Sequence, residues 1–362
     1  MPAPPAIINA AGKLTALGGS AQSAAVANAQ AEAAGRHVDL AALRKYAGEQ
    51  AAIWTGAEAG CITCGAAAGV AISVAAVVTG GRAEAVRELP LTFRQHDVVI
   101  QAGHMINFGA SITQMVRLGG GTPRIIGDAN FVPMALLTDT LERARPDALL
   151  YVKSHHSIQE NMISLDACIE ACRRHNVVVI VDASAESDLT RYIAAGADLV
   201  TYSGGKAFGG PTAGFICGRA DLVAHAEAQV NGIGRAMKVG KEQIAGLLEA
   251  MAEYGHRDEA DTAEKLSSIN GRLMEELTSF DAYDVTLRAD EAGRPFDRVA
   301  VAAAGGAFDI RTLVSFLADG DPSIRTRNHH LDRGFLQIDP REIHAYHIDT
   351  ILTRFREFAS TL

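Results

Sequence analysis

The sequence is poor in aromatic residues, 6% of 362 with a single Trp, and it holds only five Cys. Each scarcity excludes something. Five cysteines are too few, and odd in number, for a disulfide framework at this length, which points to a reducing compartment and so to the cytosol. The most apolar run, Ala66 to Val78, is too short and too interrupted by Gly69 and Ser73 to span a bilayer. The N-terminal MPAPPAIINAAGKL lacks the basic start and continuous apolar stretch of a signal peptide, so no membrane role is expected. Basic residues are outnumbered 33 to 42, a net charge of −9 that repels polyanions and argues against broad nucleic-acid binding. A local basic pocket for a small phosphorylated molecule is still compatible with that balance.

What is present is apolar substance: 48% hydrophobic against 21% charged residues, far from a disordered composition. Short Val- and Ile-rich runs alternate with helical spacing, the pattern of parallel βαβ units. Strands are expected at 98–100, 148–152, 177–183 and 197–203, and a short one at 213–218 close enough behind to return antiparallel. Leu165 to His175 reads as a crossover helix with Ser164 as N-cap. Long charged helical stretches follow at 221–231 and 241–279. The last hundred residues mix short strands (DRVAVAA, SIRTRN, FLQID) with helices, the final helix capped by Asp339 and started by Pro340. These features predict an N-terminal arm over 1–30, a large domain over 31–240 and a small α+β domain over 241–362.

Four features carry chemistry. TCGAAAG (63–69) places small residues between a short strand and an apolar helix, where free backbone amides and the helix dipole suit a phosphate; Cys64, Gly65 and Ala66 form its turn. Tight packing alone would also explain it. Asp182 ends an apolar strand, where α/β sheets present ligands, although it could equally cap the next segment. SGGKAFGGP (203–211) puts Lys206 between glycine pairs directly after a strand, a setting for a desolvated amine nucleophile, with Ser203 three residues earlier to hold a phosphate. His104, four residues beyond a strand, could stack on a planar group or move protons, or be structural. In this order the set meets the needs of pyridoxal 5′-phosphate: amides and Ser203 for phosphate, a carboxylate for the ring nitrogen, a lysine for the aldehyde. Neither the CxxC of Cys61 and Cys64 nor the i,i+4 pair Cys168 and Cys172 has a matched partner set, so no metal is expected.

At these residues the sequence resembles the selenocysteine synthase-like group of fold-type I PLP-dependent enzymes. The resembling stretches are INAAGKLTALGGS (8–20), TGAEAGCITCGAAAG (55–69), GHMINFGASITQMVRLGGG (103–121), SHHSIQENMISL (154–165), VIVDASAE (179–186), ADLVTYSGGKAFGGPTAG (197–214) and IRTRNHHLDRGFLQIDPRE (324–342). The resemblance implies an α/β fold of the aspartate aminotransferase type, a mostly parallel central sheet with a small C-terminal domain, and a homodimer or higher homo-oligomer. It implies catalysis by Lys206, Asp182 and His104. Lys13, Thr15 and Ser20 lie in a glycine-bounded segment resembling an active-site arm; Arg325 or Arg327 would meet a substrate carboxylate, and His156 or Gln159 the substrate or the cofactor oxygen. Cys64 stands where a hydroxyl residue is common. The acidic charge disfavours the transfer-RNA-dependent activity. The expected reaction is β-hydroxy elimination and deamination of a sugar-derived amino acid, with D-glucosaminate 6-phosphate as leading candidate. Aldolase, racemase or selenocysteine synthase-like outcomes at the same site, or a non-catalytic phosphate-binding protein, are the alternatives.

Overall fold

The computed structural model describes residues 6–154, 157–291 and 294–362. Within them lie twelve strands: β1 (Ile7–Ala10), β2 (Ala59–Thr63), β3 (Asp97–Gln101), β4 (Thr122–Ile126), β5 (Ala148–Val152), β6 (Val178–Asp182), β7 (Leu199–Ser203), β8 (Gly214–Gly218), β9 (Tyr283–Ala289), β10 (Asp297–Ala303), β11 (Ser323–Thr326) and β12 (Phe335–Ile338). The chain divides into two compact units, one formed by Gln22–Gly255 and the other by the N-terminal segment through Ala21 together with His256–Leu362. This division differs from boundaries at 30 and 240. Helix Lys241–Gly255 buries Ile244, Leu247, Ala250 and Met251 in the large unit's core, and β1 pairs in parallel with β11 of the small unit.

The large unit is built on a seven-stranded sheet in the order β2-β8-β7-β6-β5-β3-β4, parallel except where β8 pairs. Strands β5 and β8 are buried at every position, which explains why they read as apolar runs rather than as alternating ones: both faces are covered. One face, with Leu149, Tyr151, Val179, Val181, Val200 and Tyr202, packs against helices that include Leu165–Arg174 and Lys241–Gly255. The other, with Val98, Ile100, Leu150, Val152, Ile180, Leu199 and Ile216, is covered by helix Ala66–Thr79. From β3 the chain first goes outward to β4 and then back to β5, so the order reverses between β3 and β5. A reversal of this kind opens a crevice at the carboxyl ends of the strands. Here β3 pairs with β5 only through Val98 and Val99 before the two separate.

The small unit has a three-stranded antiparallel sheet, β12-β10-β9. Val299, Val301, Leu336 and Ile338 point to helices Glu259–Thr278, Ile310–Ala318 and Ala345–Ala359. The opposite face carries Arg298, Gln337 and, one residue past β12, Asp339, all buried. Asp339 receives hydrogen bonds from Arg298 Nε at 2.8 Å and Arg341 Nη2 at 2.7 Å, and Asp290 receives Arg298 Nη2 at 2.6 Å.

The strand expected at 148–152 occurs with those bounds, the one expected at 213–218 runs Gly214–Gly218, and the Ser164-capped helix ends at Arg174 with His175 as its C-cap. Three details differ. The stretch 241–279 is two helices, because Asp258 accepts from Ala260 and Asp261 N–H groups and starts a new one. Asp339 caps only a short 3-10 turn, Pro340–Glu342, and the final helix begins at Ala345 behind His344. Strand β4 (TPRII) gave no sequence signal, because it is a largely exposed edge strand carrying Pro123. No helix among the described residues is long and apolar enough to cross a membrane.

Candidate active site

Asp182, Ser203 and Lys206 of the large unit lie at or just beyond the carboxyl ends of β6 and β7. Asp182 closes β6, opposite Thr201 of the neighbouring β7, and is 4% exposed. Burial pushes its carboxyl upward; the charge of Lys206 and hydrogen bonds from the Ser184 backbone and hydroxyl pull the other way without cancelling it. Ser203 ends β7, half-buried. Three residues on, Lys206 sits half-buried in a turn whose Nζ donates to Ser184 Oγ at 3.4 Å. The turn is tight because Gly204 N–H donates to Ala213 O at 2.7 Å and Gly210 N–H to Gly204 O at 2.8 Å.

Gly65 precedes helix Ala66–Thr79 with φ +147, a conformation that favours glycine, and supplies no side-chain cap. The first intrahelical bond is Gly69 N–H to Gly65 O, so the amides of Ala66, Ala67 and Ala68 have no intrahelical acceptor. Many other helices here carry a Ser or Asp cap, among them those starting after Ser23, Asp39, Ser111 and Ser164. Cys64 beside this turn is half-buried and its thiol is pushed up by burial, so it is neutral and adds no negative charge. The helix lies close on the sheet because residue 69 is glycine: a Cβ there would meet Thr201.

His104 follows β3 and is fully buried. Its Nδ1 accepts the Val152 N–H at 3.3 Å, filling the ladder position left empty where β3 and β5 part. Its ring meets Tyr151 edge-on at 4.6 Å and 78°. Burial, reinforced by Lys153, lowers its pKa to about 4, so it is neutral at ordinary pH. Gln159, expected as an alternative to His156 to face the substrate or the cofactor oxygen, is held here by the protein: its amide donates to Val152 O at 3.0 Å and Ser157 Oγ at 2.7 Å and accepts Tyr151 OH at 3.1 Å, with Nε2 at 3.4 Å from His104 Nε2. Gln159 thus braces the segment beyond β5. His155 and His156 lie outside the described residues.

In the small unit, Lys13 pairs with Glu342 at 3.7 Å, and burial, partly opposed by Glu342, lowers its pKa to about 8. Thr15 is exposed at the start of a 3-10 turn. The two arginines of SIRTR separate: Arg325 is exposed, while Arg327 is 3% exposed and 3.8 Å from Glu291, its guanidinium pushed down by burial and by Arg298. Ser184 and Tyr151 were not singled out from sequence. The available signal was a polar residue two positions past a strand-end Asp, and a Tyr inside an otherwise aliphatic strand.

These residues fit pyridoxal phosphate. A carboxylate raised by burial and incompletely compensated suits a protonated ring nitrogen; uncapped helix amides suit a phosphate; a half-buried lysine beside that carboxylate suits the carbonyl. Among the described residues no group of three or more His, Cys, Asp or Glu could hold a metal ion.

Comparisons with known proteins agree with this geometry. The family model for SelA, L-seryl-tRNA selenium transferase, matches residues 179–282, the span holding Asp182, Ser203 and Lys206. The chain is 38% identical over 356 residues to D-glucosaminate-6-phosphate ammonia lyase of Salmonella typhimurium (strain 14028s / SGSC 2262), covering 98% of this chain and 95% of that protein. It is 40% identical over 359 residues to 5'-C-glycyluridine monooxygenase-decarboxylase of Streptomyces sp, covering 97% and 89%. A solved structure of D-glucosaminate-6-phosphate ammonia-lyase superposes with a TM-score of 0.91 at 36% identity, covering 99% of this chain and 96% of that one.

Proposed function

Because this chain belongs to the selenocysteine synthase-like group of fold-type I enzymes, we propose that it is an ammonia-lyase that converts a sugar-derived β-hydroxy amino acid to a 2-oxo acid and ammonia, the water lost with the β-hydroxyl being taken up again in hydrolysis. Its cofactor is pyridoxal 5′-phosphate. The observation that carries the reading is the end-to-end likeness to D-glucosaminate-6-phosphate ammonia lyase, in sequence and in fold. D-glucosaminate 6-phosphate is accordingly the first substrate to try.

The cofactor, when bound, supplies an electron-withdrawing ring that acidifies the substrate Cα–H. The chain's residues do the rest. Lys206 Nζ would hold the cofactor's carbonyl end and, once displaced by the substrate amine, would accept the Cα proton. Asp182 would hold a proton at the ring nitrogen. The amides of Ala66 to Ala68 and the Ser203 hydroxyl would hold the phosphate, with Gly65 and Cys64 shaping the turn, and His104 would wall the ring's site. Loss of the Cα proton and the β-hydroxyl as water, followed by hydrolysis, gives a 2-oxo acid and ammonia. We further propose a homodimer or higher assembly in the cytoplasm; all five cysteines are free, which suits a reducing compartment.

The likeness to the monooxygenase-decarboxylase supports a second reading, since it is equally extensive. Both named substrates are amino acids carried on a sugar framework, so the class of substrate is common to the two readings and the reaction is what differs. Incubation with D-glucosaminate 6-phosphate, assayed for 2-oxo acid, ammonia, oxygen uptake and CO2, separates them. Equimolar 2-oxo acid and ammonia without oxygen uptake is expected. Oxygen-dependent CO2 release, or no turnover of any phosphorylated or free sugar amino acid, overturns the lyase reading.

A further inference from the structure

We infer that Ser184 is a positioning residue that couples the strand-end carboxylate Asp182 to Lys206. The inference rests on the reading of Lys206 as the cofactor-bearing lysine. Beyond β6 the chain turns so that the Ser184 N–H donates to Asp182 Oδ1 at 3.0 Å, while its Oγ lies 3.4 Å from Lys206 Nζ and accepts from it. One residue thus touches both groups: its backbone amide holds Asp182 whatever the side chain is, while its hydroxyl reaches the lysine and also supports the Asp182 carboxylate. Removal of the hydroxyl keeps the backbone link and takes away both side-chain contacts, which substitution of Asp182 or Lys206 cannot do.

The hydroxyl oxygen accepts a hydrogen bond that the ammonium form of Lys206 donates, so it favours the charged amine. It also favours the ionised form of Asp182, whose negative charge in turn favours the ammonium. Loss of the hydroxyl acts in one direction through both routes: the Lys206 amine becomes free at lower pH. The other titratable groups nearby are unaltered by the change. Glu186 acts on Asp182 from the loop after β6, Lys153 acts on His104 from the end of β5, His104 is neutral there, and Cys64 beyond β2 is neutral through burial.

The test uses the full chain stripped of cofactor, as wild type, Ser184→Ala, Ser184→Gly, Ser184→Thr and Lys206→Ala. Pyridoxal phosphate is added across neutral and alkaline pH, and its capture is followed by the visible absorption of the lysine-linked form. The capture rate rises with the free amine. The midpoint of this rise is expected about 0.5 pH unit lower in the Ala and Gly variants, about a threefold change in the protonation equilibrium, and at the wild-type position in the Thr variant. Coincident midpoints for wild type and both hydroxyl-free variants overturn the inference, as does a Thr variant that moves as far as Ala. A Lys206→Ala protein that captures cofactor like wild type overturns the underlying assignment of the lysine instead, and is distinguished by that variant alone.

Discussion

Substitution of Gly69 by alanine is a sharp test of how the site is assembled, because the glycine sets the distance between helix Ala66–Thr79 and strand β7. A Cβ at position 69 would lie 3.0 Å from Thr201 Cβ and closer still to Thr201 Oγ1. The helix and the sheet are both buried there, so neither side yields freely. Overpacking of this kind costs about 1–3 kcal/mol, against about 1 kcal/mol gained when alanine replaces glycine inside a helix. Taking the upper part of that range, the net loss is about 2 kcal/mol, or a melting point lower by roughly 4–8 °C in a unit of this size. A helix pushed outward also carries its free amides away from Ser203 and Lys206. Charge–dipole contacts at helix ends are worth up to about 2 kcal/mol, so an approximately tenfold weaker hold on pyridoxal phosphate is expected. The Thr201 hydroxyl has no hydrogen-bond partner among the described residues, so Thr201→Ala removes the obstacle at little cost, and the double variant Gly69→Ala/Thr201→Ala should recover both quantities. Thermal melts and cofactor titration of the four proteins decide the matter. A Gly69→Ala protein with wild-type melting and affinity, or a double variant no better than the single one, would refute the reasoning.

Further predictions concern groups whose charge is fixed by burial. His104 has a folded pKa of about 4 against an ordinary value of 6.5, so the unfolded chain binds the proton more tightly. Its contribution is present above pH 6.5 and is lost as the pH falls toward 4, about 3 kcal/mol in all; His104→Asn, which keeps an acceptor for the Val152 amide, should flatten denaturation curves measured across that window. Asp339 is pushed up by burial, but hydrogen bonds from Arg341 and Arg298 outweigh this and hold its carboxyl far below the ordinary range. Asp339→Asn leaves those guanidiniums under-compensated and should cost about 3–5 kcal/mol in urea unfolding at neutral pH, an effect that shrinks in acid as the wild-type carboxyl protonates. A variant within 1 kcal/mol of wild type, on the same order-of-magnitude scale, would show that the cluster is solvated. Replacement of Asp182 by alanine should abolish turnover while leaving the melting transition cooperative, and full activity in that variant would remove Asp182 from the mechanism.

Much of this architecture is legible from sequence because parallel strands buried on both faces leave continuous apolar runs. VVVIVD and ALLYV announce themselves, and a charged residue at the end of such a run marks the sheet's functional edge. The glycine pairs around Lys206 are legible for a related reason: Gly204 and Gly210 sit where the backbone of the turn folds back on itself. What escaped was set by tertiary context. Strand β4 is exposed and holds a proline, so neither periodicity nor apolar content reveals it. The contacts of Gln159 within the protein carry no sequence signal, because the parting of β3 and β5 leaves main-chain groups at Val152 that His104 and Gln159 satisfy. Ser184 carries no pattern of its own; its two contacts exist only once β6 and the Lys206 turn stand side by side. The sequence does not tell the arginines of SIRTR apart; in the fold Arg325 is exposed on β11, whereas Arg327 lies past its end and is buried near Glu291.

The central claim is that Lys206 carries the cofactor beside Asp182, and it can be tested at the level of a single atom. The purified protein, loaded with pyridoxal phosphate, is reduced with borohydride, digested and analysed by mass spectrometry. The mass of the reduced cofactor is expected on the peptide spanning SGGKAFGGP, at Lys206, and nowhere else. Its appearance on Lys153 or another lysine, or an unmodified Lys206 in protein that has visibly bound the cofactor, would contradict the account.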